Sequence, residues 1–302
     1  MKTGSKIAAA AGIGAGLLTE ELYRYIFCRH PYTLFNLLPE GKGHEDQYYE
    51  WKKELRKKFD RVPCEKLTMK SERGERLSGF YYPCGSDGKK IVFIVHGYRS
   101  DHADTASMFY DYYRSRGIDM FCCDHTAHGD SEGHFIGFDH FETEDCLRWT
   151  DLLINRFGAD TEIFLHGFSM GAATVMQMSS RCPENVKFII EDSGYINAYR
   201  SLKHQIGSMY CPMRFLNKLA AGYDLDSSDV RASLEKSRVP MLFVHGRDDR
   251  LVPYENGPEL FNSYRAEKDC LFPGGTRHIE TIYTSPEKYA EKVDRFIKLY
   301  TK

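Results

Sequence analysis

Phe164-Leu165-His166-Gly167-Phe168-Ser169-Met170-Gly171-Ala172-Ala173-Thr174-Val175-Met176 follows an apolar stretch that opens at Ile163, tightens into Gly-Phe-Ser-Met-Gly, and continues through small residues with helical character. It reads as a strand, a sharp turn and a helix, with a serine at the turn. A serine there takes a strained backbone, and side chains two positions to either side would collide with it. Gly167 and Gly171 remove those side chains, which leaves Ser169 Oγ clear at the top of a sheet. The Met170 N–H then lies at a helix N-terminus, where unpaired donors favour developing negative charge. The alternative is a tight strand–helix turn that merely contains a serine. The apolar strand before it and Ala-Ala-Thr-Val-Met after it make the pattern more specific than G-x-S-x-G alone.

The 302 residues suffice for one large α/β domain or two small ones, and 42% hydrophobic with 28% charged residues is a globular composition. A net charge of −2 provides no field for nucleic acid. The nine cysteines are scattered, odd in number and without a C-x-x-C, which fits reduced thiols in a cytoplasmic protein. Lys2 and Lys6 precede an apolar run, Ile7 to Leu18, shorter than the roughly 20 residues that a spanning helix needs. No small-x-small site follows that would suit signal cleavage. The expectation is a helix packed on or beside the domain. The alternative is membrane association through residues 7–27.

Around the serine stretch the chain divides into an N-terminal helical extension, 1–60, and an α/β domain, 61–302. Pro31, Pro39, Gly41 and Gly43 break the extension, and Asp46–Phe59 carries aromatic and charged residues at helical spacing. Strands are expected at 66–69, 77–82, 89–96, 118–124, 186–191, 239–245 and 269–272, with helices over 103–115, 141–157, 170–181, 255–265 and 286–300. Residues 194–236 are far longer than one connecting helix requires and mix aromatic with basic residues, so they read as an inserted helical cap. Alternating strands and helices argue a mostly parallel, doubly wound sheet, whose site forms at the carboxyl ends of the strands. Ser169, Asp249 and His278 each follow such an end.

Five motifs in order carry a resemblance: His96-Gly97-Tyr98, the loop His128-Gly129-Asp130-Ser131-Glu132-Gly133, Gly-Phe-Ser-Met-Gly, His245-Gly246 to Val252-Pro253, and a late histidine. Over residues 65–302 the chain resembles the α/β-hydrolase superfamily, most closely bacterial esterase/acylaminopeptidase-like hydrolases with a short cap. The resemblance implies a chain order of nucleophile, acid, base. Ser169 is then the nucleophile, and His278, which alone among the twelve histidines follows residue 245, is the base. The family spacing lands the acid on Asp249, with Asp192 and Asp248 as alternatives. The second oxyanion donor, beside Met170 N–H, is implied at Tyr98 N–H.

His125, His128 and His134 with Asp124 do not share a helix face, so no metal is expected, and Cys122-Cys123 read as core thiols. No P-loop or dinucleotide G-x-G-x-x-G occurs, so no cofactor is expected. Phe135, Tyr195, Tyr199 and Phe215 either line a substrate pocket or serve packing. The resemblance implies a serine esterase acting on a small-molecule ester of small to medium apolar groups through an acyl-enzyme. A peptidase, amidase or thioesterase of the same fold is the alternative, and a non-catalytic binding protein is the rival from another class.

Overall fold

The computed structural model describes residues 16–29 and 47–302. Lys2, Lys6, the apolar run up to residue 15, and the breakers Pro31, Pro39, Gly41 and Gly43 lie outside the described residues. Helix α1 covers 16–27. There follow α2 (Gln47–Phe59), β1 (Glu65–Lys70), β2 (Arg76–Tyr82), β3 (Lys90–Val95), α3 (His102–Arg114), β4 (Asp119–Cys123) and α4 (Glu142–Phe157). The serine stretch gives β5 (Glu162–Phe168) and α5 (Met170–Met178), followed by β6 (Val186–Asp192). Three helices, α6 (Ala198–Ile206), α7 (Tyr210–Ala220) and α8 (Arg231–Lys236), precede β7 (Met241–Val244). The chain closes with α9 (Asn256–Ser263), β8 (Lys268–Leu271), α10 (Thr281–Thr284) and α11 (Pro286–Tyr300).

The eight strands form one sheet in the order β1-β2-β4-β3-β5-β6-β7-β8. β2 pairs antiparallel with β1 and with β4, and β4 onward to β8 run parallel. Period-two alternation splits β3 between two layers. Ile91, Phe93 and Val95 join one core cluster with α1, α4 and α5, while Val92 and Ile94 join the other with α2, α3 and α11. Helix α11 starts on Pro286, whose missing N–H is no loss in a first turn. It buries Tyr289, Val293 and Phe296 on one stripe, and full burial of a Val or Phe contributes about 1.5–3 kcal/mol. Asp101 caps α3 by accepting from Ala103 and Asp104 N–H, and its carboxylate also takes Arg56 of α2.

The described parts of the N-terminal extension pack into the domain core. Tyr23, Ile26, Phe27 and Cys28 are buried in the first cluster, and Tyr48 and Phe59 in the second. Tyr23, Ile26 and Phe27 have the i, i+3, i+4 spacing of one helical face, so α1 behaves as a core helix over its second half. The cap is tied down on several sides. Ile196 N–H donates to Asn256 Oδ1, His204 Nε2 approaches the Arg250 carbonyl at 3.3 Å, and Tyr223 OH donates to the Ile136 carbonyl. No helix among the described residues is long and apolar enough to cross a membrane.

Candidate active site

Strand register aligns the site before any side chain is considered. Val95 pairs with Gly167, Phe168 with Asp192, and Asp192 with Val244, so four strands end in one row. The segments leaving that row begin at His96, Ser169, Ser193 and His245.

Ser169 takes φ +54° and ψ −114°, a conformation L side chains rarely adopt. The glycines around it act differently from the sequence expectation. A Cβ at Gly167 would lie 2.3 Å from the Gly171 carbonyl oxygen, and one at Gly171 would lie 2.1 Å from the Val95 carbonyl oxygen. Both therefore let α5 cross its own strand and sit against β3. Gly97 lies against the serine, where a Cβ would come within 3.2 Å of Ser169 Cβ and 3.8 Å of Oγ. The Gly97–Tyr98 backbone consequently passes directly beside the hydroxyl. Met170 opens α5 in a first turn with no acidic residue, where N–H groups lack helical acceptors.

Asp249 follows β7. Its Oδ1 accepts from Leu251 and Val252 N–H, both at 2.9 Å, and its Oδ2 lies 2.6 Å from His278 Nδ1. Burial alone would raise the carboxyl's pKa, but hydrogen bonds from His245 and His278 outweigh it and hold the group below the usual carboxylate range. Asp249 is thus charged at neutral pH and accepts only, so Nδ1 of His278 carries a proton, and in the neutral ring Nε2 is the nitrogen with the lone pair.

The serine turn and the histidine loop meet across Asp192–Ser193. Ser169 N–H donates to the Asp192 carbonyl, and Ile279 N–H donates to Ser193 Oγ, which donates in turn to Asp192 Oδ1. The Asp192 carboxyl also accepts from Tyr289 OH, and burial pushes its pKa up to about 6. Asp192 therefore supports the two loops through its hydrogen bonds with Ser193 and Tyr289, while Asp248 is exposed.

A cluster of neutral imidazoles stands behind the Gly97–Tyr98 loop. His96 Nδ1–H donates to the Gly97 carbonyl and its Nε2 accepts from His125 N–H. His128 Nε2 accepts from Arg99 N–H, and burial pushes its pKa down to about 3. Helix α1 braces the same loop. Tyr98 OH donates to the Ile26 carbonyl and Arg99 stacks 4.5 Å over Tyr25, while Arg29, just past α1, bonds the Gly129 and Ser131 carbonyls of the neighbouring loop. Sequence reading missed this buttress because it joins residues some seventy apart. The Tyr23–Ile26–Phe27 stripe was the one signal for it.

Asp124 and His134, weighed above beside His125 and His128, have other partners. Asp124 is taken by His102 and Asp130, and His134 packs on Phe135. The aromatic pocket candidates are scattered. Tyr195 is buried in the core, and Tyr199 packs edge-on to Tyr210. Phe135 bridges to Cys28 beside α1, and Phe215 is 64% exposed on α7. Phe215 thus faces solvent and closes no pocket over Ser169.

Residues 86–219 match the family described as serine aminopeptidase, S33. An uncharacterised Bacillus subtilis protein, YqkD, is 23% identical over 248 residues, covering 79% of this chain and 81% of its own. The α/β hydrolase domain-containing protein 17B of Xenopus tropicalis is 22% identical, covering 84% and 81%. Among solved structures, the Pyrococcus furiosus esterase Pf2001 aligns with a TM-score of 0.66 at 22% identity over 81% of this chain and 95% of that one. The α/β hydrolase GrgF from Penicillium sp. sh18 gives 0.65 at 15%, over 80% and 99%. With the strand order, the serine turn and the acid loop, these likenesses show that the chain has the α/β-hydrolase fold.

Proposed function

We propose that this protein is a serine hydrolase of carboxylic esters carrying small to medium apolar groups, with Ser169 as nucleophile, His278 as general base and Asp249 as its orienting acid. One observation carries the reading: the 2.6 Å Asp249–His278 contact fixes the imidazole tautomer whose Nε2 can accept a proton. Ser169 Oγ attacks the ester carbonyl as Nε2 takes its proton. The oxyanion is received by the N–H groups of Tyr98 and Met170, the alcohol leaves with the proton from His278, and water hydrolyses the acyl-enzyme by the same route. The reading is supported by the esterase description of Pf2001 and by the serine aminopeptidase description of the matched family. No resident cofactor enters this scheme.

The test is a panel of p-nitrophenyl esters of rising acyl length beside aminoacyl-p-nitroanilides. Turnover of esters, with anilides slower, is the expected result. Faster turnover of anilides would move the reading to a peptidase or amidase. No turnover of either by folded protein would favour a non-catalytic binding role.

The proposal includes contact with a lipid surface through α1. Leu17 and Leu18 of α1 and Phe215 and Leu219 of α7 are exposed, and the two helices share a groove of about 360 Å³ lined by Tyr23, Phe135 and Leu216. The apolar run from Ile7 leads into the same helix. The protein is expected to float with vesicles of mixed neutral and anionic phospholipid. Phe215→Glu/Leu219→Glu should weaken this about tenfold or more, since each side chain gains of order 1.5 kcal/mol or more on burial. Its hydrolysis of a soluble ester should be unchanged. Undiminished flotation of the double variant, or none by the wild type, would remove the lipid surface from the proposal.

A further inference from the structure

Cys123 ends β4, His125 lies two residues on, and Cys146 sits in the first turns of α4. One imidazole nitrogen and the two Sγ atoms lie within 4.8 Å of one another, and all three residues are at most 1% exposed. The hydrogen bonds single out the free nitrogen. His125 Nε2 is 3.0 Å from the His96 carbonyl oxygen, an acceptor only, so Nε2 carries the proton. Nδ1 is then a bare lone pair, and it has no hydrogen-bond partner. Buried polar atoms are almost always partnered, so an orphan lone pair beside two thiols needs an explanation.

Neighbouring residues are otherwise engaged. The Asp145 carboxylate accepts from Thr126 Oγ1 at 2.6 Å. Cys122, one residue earlier, points to the opposite face of the sheet among the second core cluster. Two thiolates and an imidazole are a soft donor set, suited to zinc and other d10 ions rather than to calcium or magnesium. Two thiolates also cancel a +2 charge, so the filled site would be neutral, as a fully buried site requires. A metal-bound histidine commonly donates its other N–H to a backbone carbonyl, which is the bond His125 makes.

We propose that Cys123, His125 and Cys146 form a buried site for a zinc-class ion that pins β4 to α4 behind the Gly97–Tyr98 loop. Loading converts two thiols and a neutral imidazole into a neutral bis-thiolate complex and releases two protons to solvent. The ion is structural: His96 stands between the His125 ring and the loop beside Ser169, and no step of the proposed hydrolysis passes through it.

The test uses the full chain with a tag free of histidine, expressed with added zinc and purified without chelator. Mass spectrometry of the acid-digested protein should find about one zinc per chain. Cys146→Ser and His125→Ala should each lower that roughly tenfold or more, while Cys122→Ser keeps it. Where a ligand variant fails to fold, wild-type protein made with cobalt in place of zinc gives the answer. Thiolate-to-cobalt charge-transfer absorption in the near ultraviolet supports the site. Zinc below about a tenth of an equivalent in the wild type, zinc unchanged in Cys123→Ser/Cys146→Ser, or bound cobalt without the charge-transfer band would each overturn it.

Discussion

Ser169→Ala is expected to lower kcat on an activated ester by about 10⁴–10⁶, with the fold intact and KM little changed. The size follows from what is lost. Without Oγ no acyl-enzyme forms, and the imidazole and oxyanion donors can at most assist direct attack by water. Knocking out the nucleophile of a comparable triad leaves only the residual 10³–10⁴ over water, roughly, that binding and the oxyanion hole supply. The loss should not come from unfolding. Ser169 sits at φ +54°, so alanine suffers the same backbone strain and removes one hydroxyl. The second readout is labelling by a fluorophosphonate, expected on Ser169 alone. Persistent labelling of Ser169→Ala would remove the nucleophile assignment. In wild-type protein, kcat/KM should fall on acidification. Asp249 is held below the usual carboxylate range, so it keeps its charge, and only neutral imidazole accepts the serine proton.

The parts of this protein legible from sequence are those set by local chemistry. The continuous β-branched run before His96, the stripe on 286–300 and the Gly-Phe-Ser-Met-Gly turn each declare their element. The observed bounds differ from expectation by a few residues at most. Among the site residues, the chain order and acid-loop spacing that the resemblance implies pointed to His278 and to Asp249, with Asp192 and Asp248 as alternatives, and the structure brings His278 and Asp249 into contact. What stayed hidden is non-local. Nothing near Tyr98 announces that Ile26 will receive its hydroxyl. Asp139 looks like an ordinary loop residue. Yet it is buried at φ +77°, takes hydroxyls from Thr174 of α5 and Ser228 at the end of the cap, and is pushed up by burial to about 7. Tyr195 was readable as a pocket residue because an aromatic in a cap suggests a ligand. It is buried in the first core cluster, between the end of β6 and the start of α6. Cys123 and Cys146 come from a strand and a helix, so no spacing rule could pair them.

Asp249→Asn is expected to cost about 10⁴ in kcat, as the same change does in a well-studied triad. An amide keeps the size of the carboxylate but offers one acceptor and one donor. Oδ1 already accepts from Leu251 and Val252 N–H, so those two donors hold the amide oxygen in the Oδ1 position. The NH₂ group then faces His278 Nδ1, where it can only donate. Nδ1 must answer with its lone pair, the proton moves to Nε2, and the nitrogen meant to take the serine proton is blocked. The loop itself supplies the wrong orientation, so the variant should stay folded and still be inactive. The same logic gives the contrast at position 192. The Asp192 carboxyl accepts from Ser193 and Tyr289 hydroxyls, and a hydroxyl can reverse its role, so Asp192→Asn can rearrange its bonds. Its effect reaches His278 only through Ser193 Oγ and Ile279 N–H, and the expected loss is within about tenfold, comparable to one net hydrogen bond. Asp248→Asn should be near neutral. Measuring kcat for the three variants on one ester, with folding checked by circular dichroism, separates the cases. Near-wild-type turnover in Asp249→Asn beside collapse in Asp192→Asn would transfer the acid to the end of β6. It would also mean that His278 turns away from the partner it contacts at 2.6 Å.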